Sequence, residues 1–202
     1  MERYTSLLRN DGTQVRLKAM LETAVSQPKL HARLVNTLAR MEYVGVRKML
    51  KARSSENLDV DGLLHVIEEA THALRLKRAA LKLRGSPAGL ETFSEAHTLA
   101  GSAGEGYLQA VDAACEECLA DLPEEGRTEF NYLLSSVLIE IRADVFYPVY
   151  ETCLQAAGAP FSVRSIQKDE EKHLAEMKVR LESLCSDWRE RVETVLPHEK
   201  VA

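Results

Sequence analysis

Aromatic side chains are scarce in this sequence, at 5% of positions, and no stretch alternates apolar and polar residues as a half-buried strand does. That argues against a sheet-built fold. No apolar run approaches the roughly 18–20 residues needed to span a bilayer. A basic surplus is missing too: the net charge is −5 and the pI about 5.7, which disfavours a general nucleic-acid binder because phosphate neutralisation needs a basic face. The four cysteines, Cys115, Cys118, Cys153 and Cys185, are too few and too scattered for a disulfide framework. Cys115 and Cys118 do form a CxxC pair, but within an amphipathic helical stretch and with no second CxxC to complete a zinc or rubredoxin site. Residues Met1 to Arg16 are polar and of mixed charge, unlike a secretory signal, and the expected location is the cytoplasm.

What is abundant is Ala, Leu and Glu in helical periodicity. With 45% hydrophobic and 28% charged residues over 202 positions, the chain is expected to form one helical domain, 1–202, with a core that needs no staples. A short helix is expected from Val15 to Ser26. A long one starts at Pro28 and runs to about Arg53 on the stripe Leu34, Leu38, Met41, Val46 and Met49. After a turn at Ser54-Ser55-Glu56-Asn57, a second long helix covers about Asp61 to Leu83 and closes at Gly85-Ser86-Pro87. A glycine-punctuated stretch from Ser86 to Leu122 follows, with one helix from Tyr107 to Leu119. The third long helix is expected from Pro123 to Ala157, bent near Pro148. The fourth, after Gly158-Ala159-Pro160, is expected from Ser165 to Val195, ahead of Pro197. This gives two long-helix hairpins joined by one long crossover, the ferritin-like four-helix arrangement.

The second and fourth long helices each carry Glu-x-x-His: Glu69 with His72, and Glu170 with His173. Residues three apart share a helix face, so carboxylate and imidazole can close on one ion. Glutamate is frequent here, and such pairs alone carry little weight. The other two helices add more. Glu42 lies on the apolar stripe of the first, and Glu140 sits within Val137-Leu138-Ile139-Glu140-Ile141 of the third. A carboxylate buried alone costs several kcal/mol or stays protonated; a divalent cation removes the conflict. Glu42 precedes Glu69 by about 27 residues and Glu140 precedes Glu170 by about 30, and antiparallel hairpins bring such positions to similar heights. Asp144 and Glu151 share the face of Glu140 and are alternatives to it if the loop after Ala157 is tight.

On these six residues the sequence resembles the ferritin-like di-iron carboxylate superfamily, across its four long helices. The resemblance implies two iron ions per chain, with manganese or a mixed pair equally compatible with such ligands. It implies that Glu69 and Glu170 bridge, that Glu42 and His72 complete one site, and that Glu140 and His173 complete the other. It further implies an oxygenase or oxidase acting on dioxygen and a small apolar substrate with an external electron donor. The spacings look more like those of the compact oxygenases than like bacterioferritin or rubrerythrin. A ferroxidase or iron-storage protein is the alternative, and a helical interaction module the one beyond it. A homo-oligomer is compatible with either metal reading.

Around these ligands, Glu68 and Asp169 each precede a ligand glutamate and read either as acceptors of the outer N–H of the imidazoles or as solvated helix charges. His65 lies one turn before Glu69, as an additional ligand or a hydrogen-bonded core histidine. Tyr147 is expected to pack, with its hydroxyl bonded. His31, His97 and His198 read as surface residues. Gly45, Ala73, Ser136 and Ala143, all small and near the ligands, suggest room for a substrate.

Overall fold

The computed structural model describes Tyr4 and residues 11–52, 58–84 and 89–201. Among them every regular element is helical: α1 (Asp11–Val25), α2 (Pro28–Ala52), α3 (Val60–Arg84), α4 (Gly101–Cys118), α5 (Arg127–Ala156), α6 (Arg164–Leu184) and α7 (Trp188–Val201). No helix among the described residues is long and apolar enough to cross a membrane. The expected turns at residues 54–57 and 85–87 lie outside the described residues.

Helices α2 and α3 run antiparallel: Lys77 Nζ donates to Asn36 Oδ1 at 2.7 Å near one end, and Glu42 meets Glu69 further along. Helices α5 and α6 do the same, with Arg180 on Glu129 at one end and the Val163 amide on Glu151 at the other. The pairs join through α3 against α6, where Glu68 reaches His173 and His72 reaches Asp169, and through α2 against α5, where Tyr147 reaches Glu42 and Lys48 reaches Ser135. Helix α4 packs on α2 and α5, α1 on α2 and α5, and α7 on α4 and α5.

The segment before α4 is strapped to one face of α2. Arg33 donates to the Thr98 and Glu95 carbonyls, Asn36 to those of Thr92 and His97, and Arg40 to the Phe93 carbonyl and to Glu95 and Glu105. These backbone acceptors have no ladder of their own, so side chains at helical spacing supply the donors. Gly101 sits so close to Arg40 that a Cβ there would lie 2.2 Å from its Nη1.

Several boundaries differ from expectation: the first helix starts at Asp11 instead of Val15, and the third long helix at Arg127 instead of Pro123. The last long helix does not reach Val195; it stops at Leu184, where Cys185 takes extended backbone, and α7 starts at Trp188. Asp187 stabilises the restart, its carbonyl accepting from the Glu190 and Arg191 amides and its carboxylate from Arg191 Nε. Pro197 then lies within α7 instead of after it. The helix expected from Tyr107 starts earlier, at Gly101. At Pro148 the helix continues in both directions.

The apolar core falls into two halves. One gathers Met49, Leu133, Leu134, Val137, Leu138, Ile141, Leu174, Met177, Leu181 and Trp188; the other gathers Val35, Ala39, Leu76, Ala80, Tyr150, Leu154 and Ile166. On each long helix the switch between halves falls at the level of Glu42, Glu69, Glu140 and Glu170. A layer of buried ionisable groups therefore divides the core.

Candidate metal centre

Six side chains singled out in the sequence come together in this layer, with His65 beside them. Glu42, Glu69, His72 and Glu170 present donor atoms all within 4.8 Å of one another, and so do His65, Glu69, Glu140 and His173. The two groups share Glu69. Glu69, Glu140, Glu170, His72 and His173 are buried, and Glu42 is half-buried against a cavity.

Each Glu-x-x-His imidazole is fixed across the α3–α6 seam. His72 Nε2 lies 3.0 Å from Asp169 Oδ2, and His173 Nε2 lies 2.8 Å from Glu68 Oε2. An ionised carboxylate only accepts, so Nε2 carries the proton in each ring. The neutral tautomer then leaves its lone pair on Nδ1. That atom faces inward, 3.2 Å from Glu170 Oε1 in His72 and 3.2 Å from both Glu69 Oε1 and Glu170 Oε2 in His173. Glu68 also accepts from Lys172 at 3.1 Å.

The carboxylates of this layer are set against their own burial and against one another, and the imidazoles offset part of that conflict. Burial, reinforced by the charges of Glu69 and Glu170, holds the Glu42 carboxyl well above its ordinary value, although the Tyr147 hydroxyl, 2.5 Å from Oε1, works against this. Burial and the same two charges raise Glu140 well above the carboxylate range. Burial also disfavours the charged Glu69, but the imidazoles of His173, His65 and His72 gathered around it outweigh this and hold that carboxyl low. Glu170 is likewise lowered: the imidazoles of His173 and His72 overcome burial and the charge of Glu69. Burial opposes protonation of His173, and the carboxylates of Glu170, Glu69 and Glu68 override it, pushing its pKa up to about 10.

Two buried atoms of this layer, Glu69 Oε1 and His72 Nδ1, are in no well-formed hydrogen bond, although His173 Nδ1 stands 3.2 Å from the first and Glu170 Oε1 3.2 Å from the second. Both lie where the donor groups converge. The set is carboxylate and imidazole with no thiolate, which suits iron or manganese. Each of the two donor groups has the ligand atoms to hold one metal ion.

A cavity of about 310 Å³ adjoins the layer, between α2, α4 and α5. Glu42, His65, Glu69, Glu140 and Glu170 form its polar floor, and Met41, Val44, Ile139, Phe146 and Met177 are among its apolar walls. Gly45, Ser136 and Ala143 line it, as their size suggested; Ala73 does not. Gly104, Tyr107 and Leu108 of α4 also line it.

The remaining candidates lie elsewhere. Glu151 accepts from Ser162, Gln155 and the Val163 amide, and Asp144 is in neither donor group. His31 is not a surface residue: it is buried, its ring nitrogen 2.7 Å from Tyr150 Oη, and burial lowers its pKa to about 4. Its phase on α2, three residues before Leu34, was the available signal. His97 accepts from the Thr92 amide, and His198 is exposed. All four cysteines are free. The strapping residues Arg33, Asn36 and Arg40 went unread because polar side chains on a helix look alike whether they face water or a crossing segment.

No protein-family model, curated protein or solved structure matches this chain.

Proposed function

We propose that the chain is a ferritin-like four-helix bundle, formed by α2, α3, α5 and α6, and that it is a non-haem di-iron oxidoreductase acting on an apolar organic substrate. The observation that carries this reading is the pair of donor groups sharing Glu69, buried at the level where the apolar core divides.

In this reading Glu42, Glu69, His72, Glu140, Glu170 and His173 would together hold the two iron ions. When bound, the ferrous pair supplies the electrons that reduce dioxygen and the oxidising power used on the substrate. The chain's own residues do the rest. Glu68 and Asp169 hold the imidazoles in the tautomer that exposes Nδ1. Tyr147 fixes one oxygen of Glu42 and keeps a proton beside the centre. The apolar walls exclude water and receive the substrate, with α4 as cover. An external electron donor completes the cycle. The cytoplasm suits both ferrous iron and four free thiols.

A ferroxidase or storage protein would feed its centre through an acidic passage; here the space beside the carboxylates is walled largely by apolar side chains. A purely structural interaction module gives no reason for placing four glutamates and two histidines in the core.

The test is elemental analysis of protein from iron-supplemented cells beside a Glu69→Ala/Glu170→Ala double variant. About two ions per chain, lost in the variant, are expected. A wild-type chain that takes up no metal after anaerobic ferrous reconstitution would refute the reading.

A further inference from the structure

We infer that His65 is a seventh protein ligand, completing the position defined by Glu140 and His173 and making the two metal positions chemically unequal. The inference rests on the di-metal reading above and extends it to a residue outside the Glu-x-x-His pairs.

Three observations converge on His65. Its donor atom belongs to the group formed with Glu69, Glu140 and His173, all within 4.8 Å of one another. It turns Nε2 toward the centre, 3.4 Å from Glu69 Oε1, and its ring centroid lies 4.0 Å from that of His173. It also lines the cavity floor, which neither His72 nor His173 does, so its lone pair meets the centre from the substrate side.

The internal likeness of the two hairpins sharpens the point. Hairpin α2–α3 offers Glu42, Glu69 and His72, and hairpin α5–α6 offers Glu140, Glu170 and His173 at matching places. His65 precedes Glu69 by four residues; the matching position before Glu170 is Ile166, which is buried in the apolar half-core. Tyr147 follows Glu140 by seven residues and bonds Glu42; the matching position after Glu42 is Met49, apolar and buried. The six shared ligands are thus symmetric, and the two departures fall on opposite sides. The Glu42/His72 position gains a hydroxyl on its carboxylate, whereas the Glu140/His173 position gains a second imidazole. A position with two imidazoles binds later first-row divalent ions more tightly than a carboxylate-rich one, so the positions should fill in order.

The alternative role for His65 is a hydrogen-bond donor to Glu69, and a glutamine tests it by keeping a donor while offering a poor ligand. The experiment is anaerobic Co(II) titration of the full chain, followed by visible absorption, for wild type, His65→Gln and His65→Ala, with helicity checked by circular dichroism. Wild type is expected to bind two ions with distinguishable spectra. Both variants should keep one ion and bind the other more than about 100-fold more weakly, beyond the 10–100-fold cost of losing an outer hydrogen-bond partner. Free imidazole, admitted through the cavity, should restore the lost band in His65→Ala. A glutamine variant that retains both ions within that range, with unchanged spectra, overturns the assignment and leaves the di-metal reading standing. A wild-type chain that binds no cobalt overturns both.

Discussion

His173 of α6 is held by a residue of the other hairpin: its Nε2 lies 2.8 Å from Glu68 Oε2 of α3, and His72 of α3 is held in return by Asp169 of α6 at 3.0 Å. The arrangement is reciprocal, each pair of helices orienting the other's imidazole. Glu68→Gln and Asp169→Asn each keep the side chain's shape but weaken the acceptor that fixes the tautomer. Each should lower metal affinity by about 10–100-fold, with helicity unchanged. Competition titration against a chelator checks this, and unchanged affinity in both variants would make these carboxylates solvated helix charges.

The metal-free centre should also be sensitive to alkali. Glu42 and Glu140 are held well above the carboxylate range, and His173 is raised to about 10. All three bind protons more tightly folded than unfolded, so their stabilisation is complete below the unfolded values and is lost as pH rises through the folded ones. For His173 that window runs from 6.5 to about 10. Metal ligands must shed these protons, so metal affinity moves the other way and increases with pH. Thermal unfolding with chelator and with Co(II), from about pH 6 to about pH 9, should therefore show a widening gap between loaded and metal-free midpoints. A gap that narrows across that range would count against this assignment of protons.

Helix existence and the six central residues were readable because both are periodic. A buried glutamate on an apolar stripe signals itself at every turn, as Glu140 does between Ile139 and Ile141. The less legible features depend on contacts far apart in sequence. In the sequence His65 reads either as an additional ligand or as a core histidine, and only α6, which brings His173 against it, sets its surroundings. The break at Cys185 carries no glycine or proline, and the proline that does stand nearby, Pro197, lies within α7. Apart from Glu95 and Glu105, which accept from Arg40, the crossover's hold on α2 rests largely on backbone carbonyls that bind any suitably spaced donor, so most of the crossover's own residue identities say little about it.

His31 and Tyr150 illustrate the same limit, and they can be tested apart from the metal. Their 2.7 Å hydrogen bond lies in the apolar half-core that contains Tyr150 and Ile166. Tyr150→Phe leaves a buried ring nitrogen without its partner and should cost about 1–3 kcal/mol. Because this pair is separate from the donor groups, metal stoichiometry should not change. Urea unfolding of the metal-free variant, beside metal analysis, measures both; a loss of metal would tie this pair to the centre.

Gly45 separates stability from function. It lies inside α2 with no positive φ to require glycine, and in a helix interior glycine costs about 0.5–1 kcal/mol relative to alanine. Packing does not demand it either: a Cβ there would meet Glu69 Oε2 at 4.0 Å, an ordinary contact. What the missing side chain leaves is space in the cavity beside the carboxylates. Gly45→Ala should therefore raise the unfolding free energy by about 0.5–1 kcal/mol. Gly45→Leu, whose side chain extends into that space, should keep the metal content yet lose most binding of an apolar fluorescent probe. Equal probe affinity in wild type and the leucine variant would place apolar binding elsewhere on the molecule, and the glycine would then have no role in admitting substrate.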